Sequence, residues 1–175
     1  MSIENNIGIS SESDSTKSTQ YATFYLGNRL YGIDVMQVQE VTQALPVTVI
    51  RLAPSFVKGL INLRGQISTA IGLRELFELN TEEVKENMTV VCRIDGNLLS
   101  LLVDRIGDVV EVNKKDYEPT PDLIPSSIKR FMKGVYKTDG PILSVIGVDN
   151  IIAELTGRNE QSHNKSHKKT QGAFQ

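Results

Sequence analysis

The sequence predicts a mainly β chain that folds into two small, packed barrels with a few short helices. Short runs rich in β-branched, aromatic and aliphatic residues, among them YATFYL, TVVCRI and LLSLLV, are typical of strands. Two-residue turn signatures separate several of these runs, and the whole pattern occurs twice along the chain. Many short strands with tight turns favour two small barrels over one sandwich, and a closed barrel leaves no strand edge open to aggregation.

The repeat is clearest between residues 56–72 and residues 131–147, which align without a gap at a constant offset of 75. Phenylalanine, lysine, three glycines and two isoleucines coincide in the two copies. Each copy then runs into a short amphipathic stretch, Leu73–Leu79 in the first and Asp149–Leu155 in the second. We predict that each of these stretches forms a short helix with one apolar face.

Earlier in each half the offset is 68, since Val38-Gln-Glu-Val41 matches Ile106-Gly-Asp-Val109. The second half therefore carries seven extra residues, and a cluster of prolines places them as a loop between Asn113 and Ser127. We predict one folded region over residues 21–157. Its first barrel covers about 21–80 and its second about 88–157, with an exchange of strands between them left open.

Turn chemistry singles out one residue. Gly27-Asn28 and Asp95-Gly96 are two-residue hairpin signatures, and Arg64-Gly65 and Asp139-Gly140 mark a second hairpin in each half. Asp tolerates the positive φ that such turns need, whereas Arg64 gains nothing from turn chemistry. Residues that break a local rule are often functional. Arg64 is thus either part of a functional site or an ordinary solvated turn residue, and the sequence favours neither.

Composition bounds the function class. The formal charge is -2 and the aromatic fraction is 6%, which argues against a nucleic-acid binder that needs basic patches and stacking platforms. Residues 1–20 and 158–175 are polar and predict disordered tails. The first residues lack a signal-peptide pattern and Cys92 is the single cysteine, so we expect a cytoplasmic protein.

No catalytic or metal site is predicted. Both histidines, His163 and His167, lie in the second tail, so no histidine can act as a positioned base in the barrels. Their spacing of four could hold a metal on a helix, but no helix and no further ligands are predicted there. Carboxylates such as Asp104 more simply occupy a strand end or a solvent face. We expect no enzyme activity and no cofactor.

Three strings carry a resemblance to a known family. They are Phe24-x-Leu26-Gly with Tyr31-Gly-Ile-Asp34 and Val38-Gln-Glu40-Val41, then Phe56-Val-Lys-Gly59-Leu-Ile-Asn62-Leu-Arg64-Gly65-Gln-Ile, then Val103-Asp104-x-Ile106-x-Asp108-Val109. Together they resemble the CheW family of chemotaxis coupling proteins over about residues 20–155. The resemblance implies two five-stranded, SH3-like barrels packed side by side, and no catalysis.

The resemblance also implies partners. These are the cytoplasmic hairpin tips of methyl-accepting chemotaxis proteins and the regulatory domain of the histidine kinase CheA, with the membrane reached only through the receptors. The expected function is a non-catalytic adaptor in chemoreceptor arrays, for flagella or, alternatively, for pili or another chemosensory output. A small-barrel nucleic-acid-binding protein stays as the least favoured alternative, and no nucleic-acid partner is expected.

The candidate receptor- and kinase-binding residues come from the same strings: Val38, Glu40, Gly59, Asn62, Leu63, Arg64, Gly65 and Val103. We predict that Glu40 and Arg64 lie near each other. Val38, Gly59, Leu63 and Val103 are expected to line a groove between the barrels, with ordinary barrel core as the alternative for all four and the favoured one for Val103. Thr69, Gly72 and Gly147 depart from the family pattern, and the two glycines suggest a backbone kink.

Overall fold

The computed structural model describes residues 17–81 and 88–157. The strands are β1 Ser18–Leu26, β2 Arg29–Asp34, β3 Val38–Gln43, β4 Val57–Leu63, β5 Gln66–Gly72, β6 Met88–Ile94, β7 Asn97–Val103, β8 Arg105–Asn113, β9 Tyr117–Glu118, β10 Met132–Tyr136 and β11 Leu143–Ile146. The helices are α1 Leu73–Leu76, α2 Ser126–Lys129 and α3 over residues 148–157. No helix in these two ranges is both long and apolar enough to span a bilayer.

The strands form a six-stranded sheet, ordered β8-β1-β2-β11-β10-β9, and a five-stranded sheet, ordered β3-β6-β7-β5-β4. Each sheet takes strands from both halves of the chain. The halves meet twice in each sheet, at a parallel pair (β2 beside β11, β5 beside β7) and at an antiparallel pair (β1 beside β8, β3 beside β6). The pairings within each half are antiparallel. The two parallel pairs are equivalent under the sequence repeat.

The predicted mainly β class with two packed units is confirmed, but the sheets are not closed barrels. Neither strand order returns to its first member. The chain instead folds back towards the far edge of each sheet. After β8 it returns as β9 beside β10, and after β3 it returns at Thr48, which exchanges two backbone hydrogen bonds of 2.8 Å with Leu60. Because these returns are short, they protect the edge without completing a barrel.

The core has three parts because the strands alternate their faces. A large buried cluster takes residues from both sheets and from the helices, and its centre is a chain of rings, Phe24, Tyr31, Phe77 and Phe131, with successive centroids 5.6–5.9 Å apart. Each sheet also has a smaller cluster of its own. Val90 and Cys92 of β6 point into the large cluster, whereas Val91 between them points into the small one. In β6, successive side chains therefore point to opposite faces of the sheet, and both of these faces are buried.

Three of the predicted two-residue turns are present. Gly27 alone has a positive φ, of 61°, in the first turn, while Arg64-Gly65 and Asp95-Gly96 have positive φ at both positions, as a type I′ turn requires. The fourth hairpin, β10–β11, is also present, but its turn is not a two-residue one. Asp139-Gly140 lies in a six-residue connection between β10 and β11 and has no positive φ. Pro141 follows it and cannot donate the backbone hydrogen bond of a tight hairpin.

A buried ion pair joins the two halves. Arg74 of α1 donates to both oxygens of Asp104, at 2.8 and 2.6 Å, and Gly27 N–H donates to the same carboxylate at 2.5 Å. The side chains are 8% and 11% exposed, so Asp104, which directly follows β7, lies at a strand end and not on a solvent face. Burial alone would raise the pKa of Asp104, but the hydrogen bonds from Arg74 and Gly27 and the charges of Arg74 and Arg105 lower it below its ordinary value.

Two predicted boundaries differ from the strand bounds. β1 begins at Ser18, three residues before the predicted start of the folded region, and Ser18 pairs with Asn113 of β8. The predicted insertion between Asn113 and Ser127 contains β9 and the first residues of α2. Residues 1–16 and 158–175, which include both histidines, lie outside the described ranges.

Candidate functional site

The Arg64-Gly65 turn projects from the end of the β4–β5 hairpin. Arg64 has a φ of 51° and Gly65 a φ of 89°. The Gly65 N–H donates to the Asn62 side-chain oxygen at 2.8 Å, which fixes the turn from inside. A left-handed backbone costs a residue with a Cβ about 1–2 kcal/mol, and Asn or Asp would fit it better than Arg. Arg64 therefore stands where local structure disfavours it.

The predicted proximity of Glu40 and Arg64 is confirmed. An Arg64 guanidinium nitrogen lies 3.1 Å from a Glu40 carboxylate oxygen, across the five-stranded sheet from β3 to the β4–β5 turn. Because β3 and β4 are the two ends of that sheet's strand order, the pair requires the sheet to curl. The Arg64 side chain is 86% exposed and that of Glu40 is 23% exposed. Such a pair contributes about 0–1 kcal/mol to stability, so folding alone gives little reason for it.

A second arginine, which the sequence analysis did not identify, lies beside this pair. Arg93 of β6 donates from Nε to Gln39 at 2.8 Å and from an Nη nitrogen to Gln66 at 2.6 Å. Gln39 precedes Glu40 at a β-bulge in β3, and Gln66 directly follows the Arg64-Gly65 turn. The repeat gives no signal for Arg93, since its partner position in the first half is Tyr25.

The apolar candidates do not line one open groove. Val103 is completely buried in the large cluster, and Leu63 is buried in the small cluster of the five-stranded sheet. Val38 is half-buried and packs against the large cluster from its edge. Leu63 and Val103 therefore do not line an open groove, and the burial of Val103 agrees with the core position favoured for it.

Gly59 has a backbone role. Its φ is 146°, and a Cβ there would collide with the Thr48 carbonyl oxygen and lie 2.7 Å from the Thr48 carbonyl carbon. Its repeat partner, Gly134, has a φ of 148° and would collide with the ring of Tyr117. Both glycines sit where the returning chain crosses a repeat-equivalent strand, β4 for Gly59 and β10 for Gly134. The alternative interpretation, in which Gly59 is required by the backbone and not by a binding partner, thus has a direct physical basis.

A groove does exist beside the Arg64 turn, at the parallel seam of the five-stranded sheet. It has a volume of about 480 Å³ and its walls come from β5, β7 and α3, with Ile67, Leu98, Leu99, Ile152 and Leu155 as its apolar lining. Gln66 and Arg93 form its rim. The equivalent seam of the other sheet holds a groove of about 300 Å³, in which Ile124 and Ile128, from the insertion and α2, take the place of α3.

Comparison with known proteins identifies the family of this fold. The CheW-like domain family matches residues 20–156, which is most of the chain. The chain belongs to the CheW family. The resemblance read from the three sequence strings is thereby confirmed.

Relatives and a solved structure support the assignment to CheW. The chain is 30% identical to the chemotaxis protein CheW of Treponema pallidum over 139 residues, covering 77% of this chain and 82% of the relative. It is 27% identical to that of Thermotoga maritima over 143 residues, covering 82% and 93%. The crystal structure of the scaffolding protein TtCheW from Thermoanaerobacter tengcongensis superposes with a TM-score of 0.68 at 29% identity, covering 75% of this chain and 90% of that one.

CheW membership gives the site its context. It supports an adaptor role in chemotaxis and is consistent with a protein that is not an enzyme. An adaptor needs exposed groups that bind rather than react. The side chains of Arg64 and Arg93 and the Glu40 carboxylate lie at the surface next to a groove with a mixed polar and apolar lining.

Proposed function

We propose that this CheW-family chain is a non-catalytic adaptor that couples methyl-accepting chemoreceptors to the histidine kinase CheA in signalling arrays. The observation that carries the proposal is the Glu40–Arg64 pair. It is exposed, it requires an unfavourable backbone at Arg64, and it contributes little to folding. Partner binding accounts for the presence of such a pair, whereas its contribution to stability does not.

In this proposal the receptor tip occupies the groove beside the turn. A receptor tip is a helical hairpin, and the usual way to bind a helix is to lay its apolar face into an apolar groove. Ile67 and Leu98 supply apolar walls, while Arg64, two residues before Gln66 of the groove lining, supplies a charged group that can donate hydrogen bonds. The kinase regulatory domain then binds a separate face, since both partners must be held at once. The protein acts in the cytoplasm and reaches the membrane through the receptors.

The test compares Arg64→Ala with Asp95→Ala. Both residues occupy the first position of a type I′ turn with similar φ, 51° and 48°, so both variants carry a similar backbone penalty. The measurement is retention of a receptor-tip fragment and of CheA on the immobilised full chain, together with the melting temperature. Arg64→Ala should lose the receptor fragment by tenfold or more, an estimate typical of a lost charge-assisted contact, and should melt like Asp95→Ala.

Two results would contradict the proposal. Wild-type protein that retains neither partner at physiological salt removes the adaptor function altogether. Equal retention by Arg64→Ala and Asp95→Ala leaves the adaptor function possible but removes the Arg64 surface from it.

A further inference from the structure

The Arg93 side chain bridges two parts of the surface that are far apart in sequence. It extends from β6, which lies next to β3 in the sheet, and reaches both the β3 bulge and the start of β5. Its two acceptors are the side-chain oxygens of Gln39 and Gln66, at 2.8 and 2.6 Å. A guanidinium is planar and holds its donors in a fixed fork, so one arginine can set the spacing of two acceptors.

These two acceptors flank the ion pair. Gln39 is adjacent to Glu40, at the point where the β3–β6 register shifts, and Gln66 pairs with Leu63 to close the Arg64-Gly65 turn. Fixing Gln39 and Gln66 relative to each other therefore fixes the backbones that carry Glu40 and Arg64. Arg64, whose side chain is 86% exposed, would otherwise sample many rotamers. Restricting Arg64 to one rotamer when a partner binds costs entropy and lowers the affinity.

The six-stranded sheet has no equivalent bridge at the matching position. There the repeat places Tyr25, whose ring is covered by the guanidinium of Arg105 at 3.5 Å, and Gly107 stands where Gln39 would be. A side chain at Gly107 would collide with Thr23. The bridge is thus a feature of one half of the repeat and not a requirement of the fold.

We propose that Arg93 is a positioning residue, which holds Glu40 and Arg64 in the geometry that the partner binds. The proposal rests on the proposed adaptor function and deepens it. It requires that Arg93 act through Arg64 rather than by its own contact with the partner, and this requirement can be measured.

The experiment is a double-mutant cycle in the full chain, with a receptor-tip fragment as the probe. Arg93→Ala should weaken binding about three- to tenfold, the range for a lost side-chain hydrogen bond. Arg93→Lys should not restore it, because one ammonium cannot hold both amides at the same spacing. In an Arg64→Ala background, Arg93→Ala should cause no further loss. Arg105→Ala is the matched control and should bind like the wild type.

A second readout needs no partner. Hydrogen exchange of the Gly65 amide reports on the turn, since that N–H donates to Asn62. Its exchange should be faster in Arg93→Ala than in the wild type, by about threefold or more, and unchanged in Arg105→Ala. An unchanged rate in Arg93→Ala would overturn the positioning role. Equal loss of binding with and without Arg64 would also overturn it, by showing direct contact. If the wild type does not bind the fragment, the adaptor function fails, and the exchange rate still decides the role of Arg93 in the turn.

Discussion

At the residue scale, Gly59 and Gly134 have the same conformation but different neighbours. The Cβ of an alanine at residue 59 would meet the Thr48 backbone, which is fixed by its two hydrogen bonds to Leu60, whereas at residue 134 it would meet the ring of Tyr117. A ring can rotate away and a paired backbone cannot. We expect Gly59→Ala to lower the free energy of unfolding by about 2–4 kcal/mol and Gly134→Ala by about 1–2 kcal/mol. Urea denaturation of both variants measures the difference, and a larger loss in Gly134→Ala would contradict this explanation.

Arg64 shows the opposite balance between stability and function. Asn is favoured over Arg at the first position of a type I′ turn, so Arg64→Asn relieves the backbone while it removes the ion pair. The two effects nearly cancel, and we expect the free energy of unfolding to change by less than about 1 kcal/mol. Binding of the receptor-tip fragment should still fall. Asp95→Asn, at the equivalent position of the other turn, is the control for stability. A loss of several kcal/mol in Arg64→Asn would show that the pair is structural.

At the element scale, the helices are attached to the sheets by a repeated arrangement. Lys58 pairs with Glu75 of α1, and Lys133 pairs with Asp149 of α3 at 2.6 Å. Gly72 precedes α1 with a φ of -77° and a ψ of 107°, which any residue can adopt, so its backbone conformation does not require glycine. A Cβ at Gly72 would instead collide with the Glu75 carboxylate and lie 2.6 Å from Lys58 Cε. Glycine there leaves space for the ion pair.

If Gly72 only leaves space for the Lys58–Glu75 pair, alanine at this position should lower the free energy of unfolding slightly, and only while the pair is present. Lys58 and Glu75 meet Gly72 with the ends of flexible side chains, which can move. Gly72→Ala should therefore cost about 1 kcal/mol or less, and the cost should disappear in a Glu75→Ala background. Gly147→Ala should behave in the same way with Asp149→Ala. A thermodynamic cycle from urea denaturation checks both, and additive losses would show that the glycines act through the backbone.

At the scale of the whole molecule, Asp104 connects the halves through Arg74 and Gly27. Removing one partner of a buried pair leaves the other charge without compensation, so Asp104→Ala should lower the free energy of unfolding by about 3–5 kcal/mol at pH 7. Asp149→Ala breaks a pair whose side chains are 48% and 52% exposed, and should cost about 0–1 kcal/mol. Equal losses in the two variants would contradict the role given to burial.

The Asp104 contribution should also depend on pH. The pKa of Asp104 is lower in the folded state than in the unfolded state, where it is about 4. The stabilisation from Asp104 is therefore complete above the unfolded-state pKa, and it is lost as the pH falls through the folded-state pKa. The difference in unfolding free energy between wild type and Asp104→Ala should therefore be constant between about pH 7 and pH 5 and shrink towards pH 3. Denaturation series at these three values measure it. A difference that grows on acidification would show that Asp104 does not fold as a carboxylate.

The sequence by itself determined the features that depend on neighbours along the chain. Alternating runs specify strands, Asp95-Gly96 specifies a tight turn, and the two offsets specify equivalent halves with an insertion near Asn113. The family strings placed Glu40 and Arg64 in one site. These inferences succeed because strand period and turn conformation are decided within a few residues.

Tertiary structure decided what depends on contacts between distant residues. The exchange of strands puts parts of each half into both sheets, and only that exchange brings Arg93 beside Gln39 and Gln66. It also buries Asp104 against Arg74, whereas the sequence left a strand end and a solvent face as alternatives for this carboxylate. The sequence did not decide whether Leu63 lines a groove or lies in the core, because alternation alone does not show which faces of a strand are buried. Burial and pairing across the sheet are properties of the assembled fold. No local sequence pattern specifies which two charged side chains will form an ion pair in it.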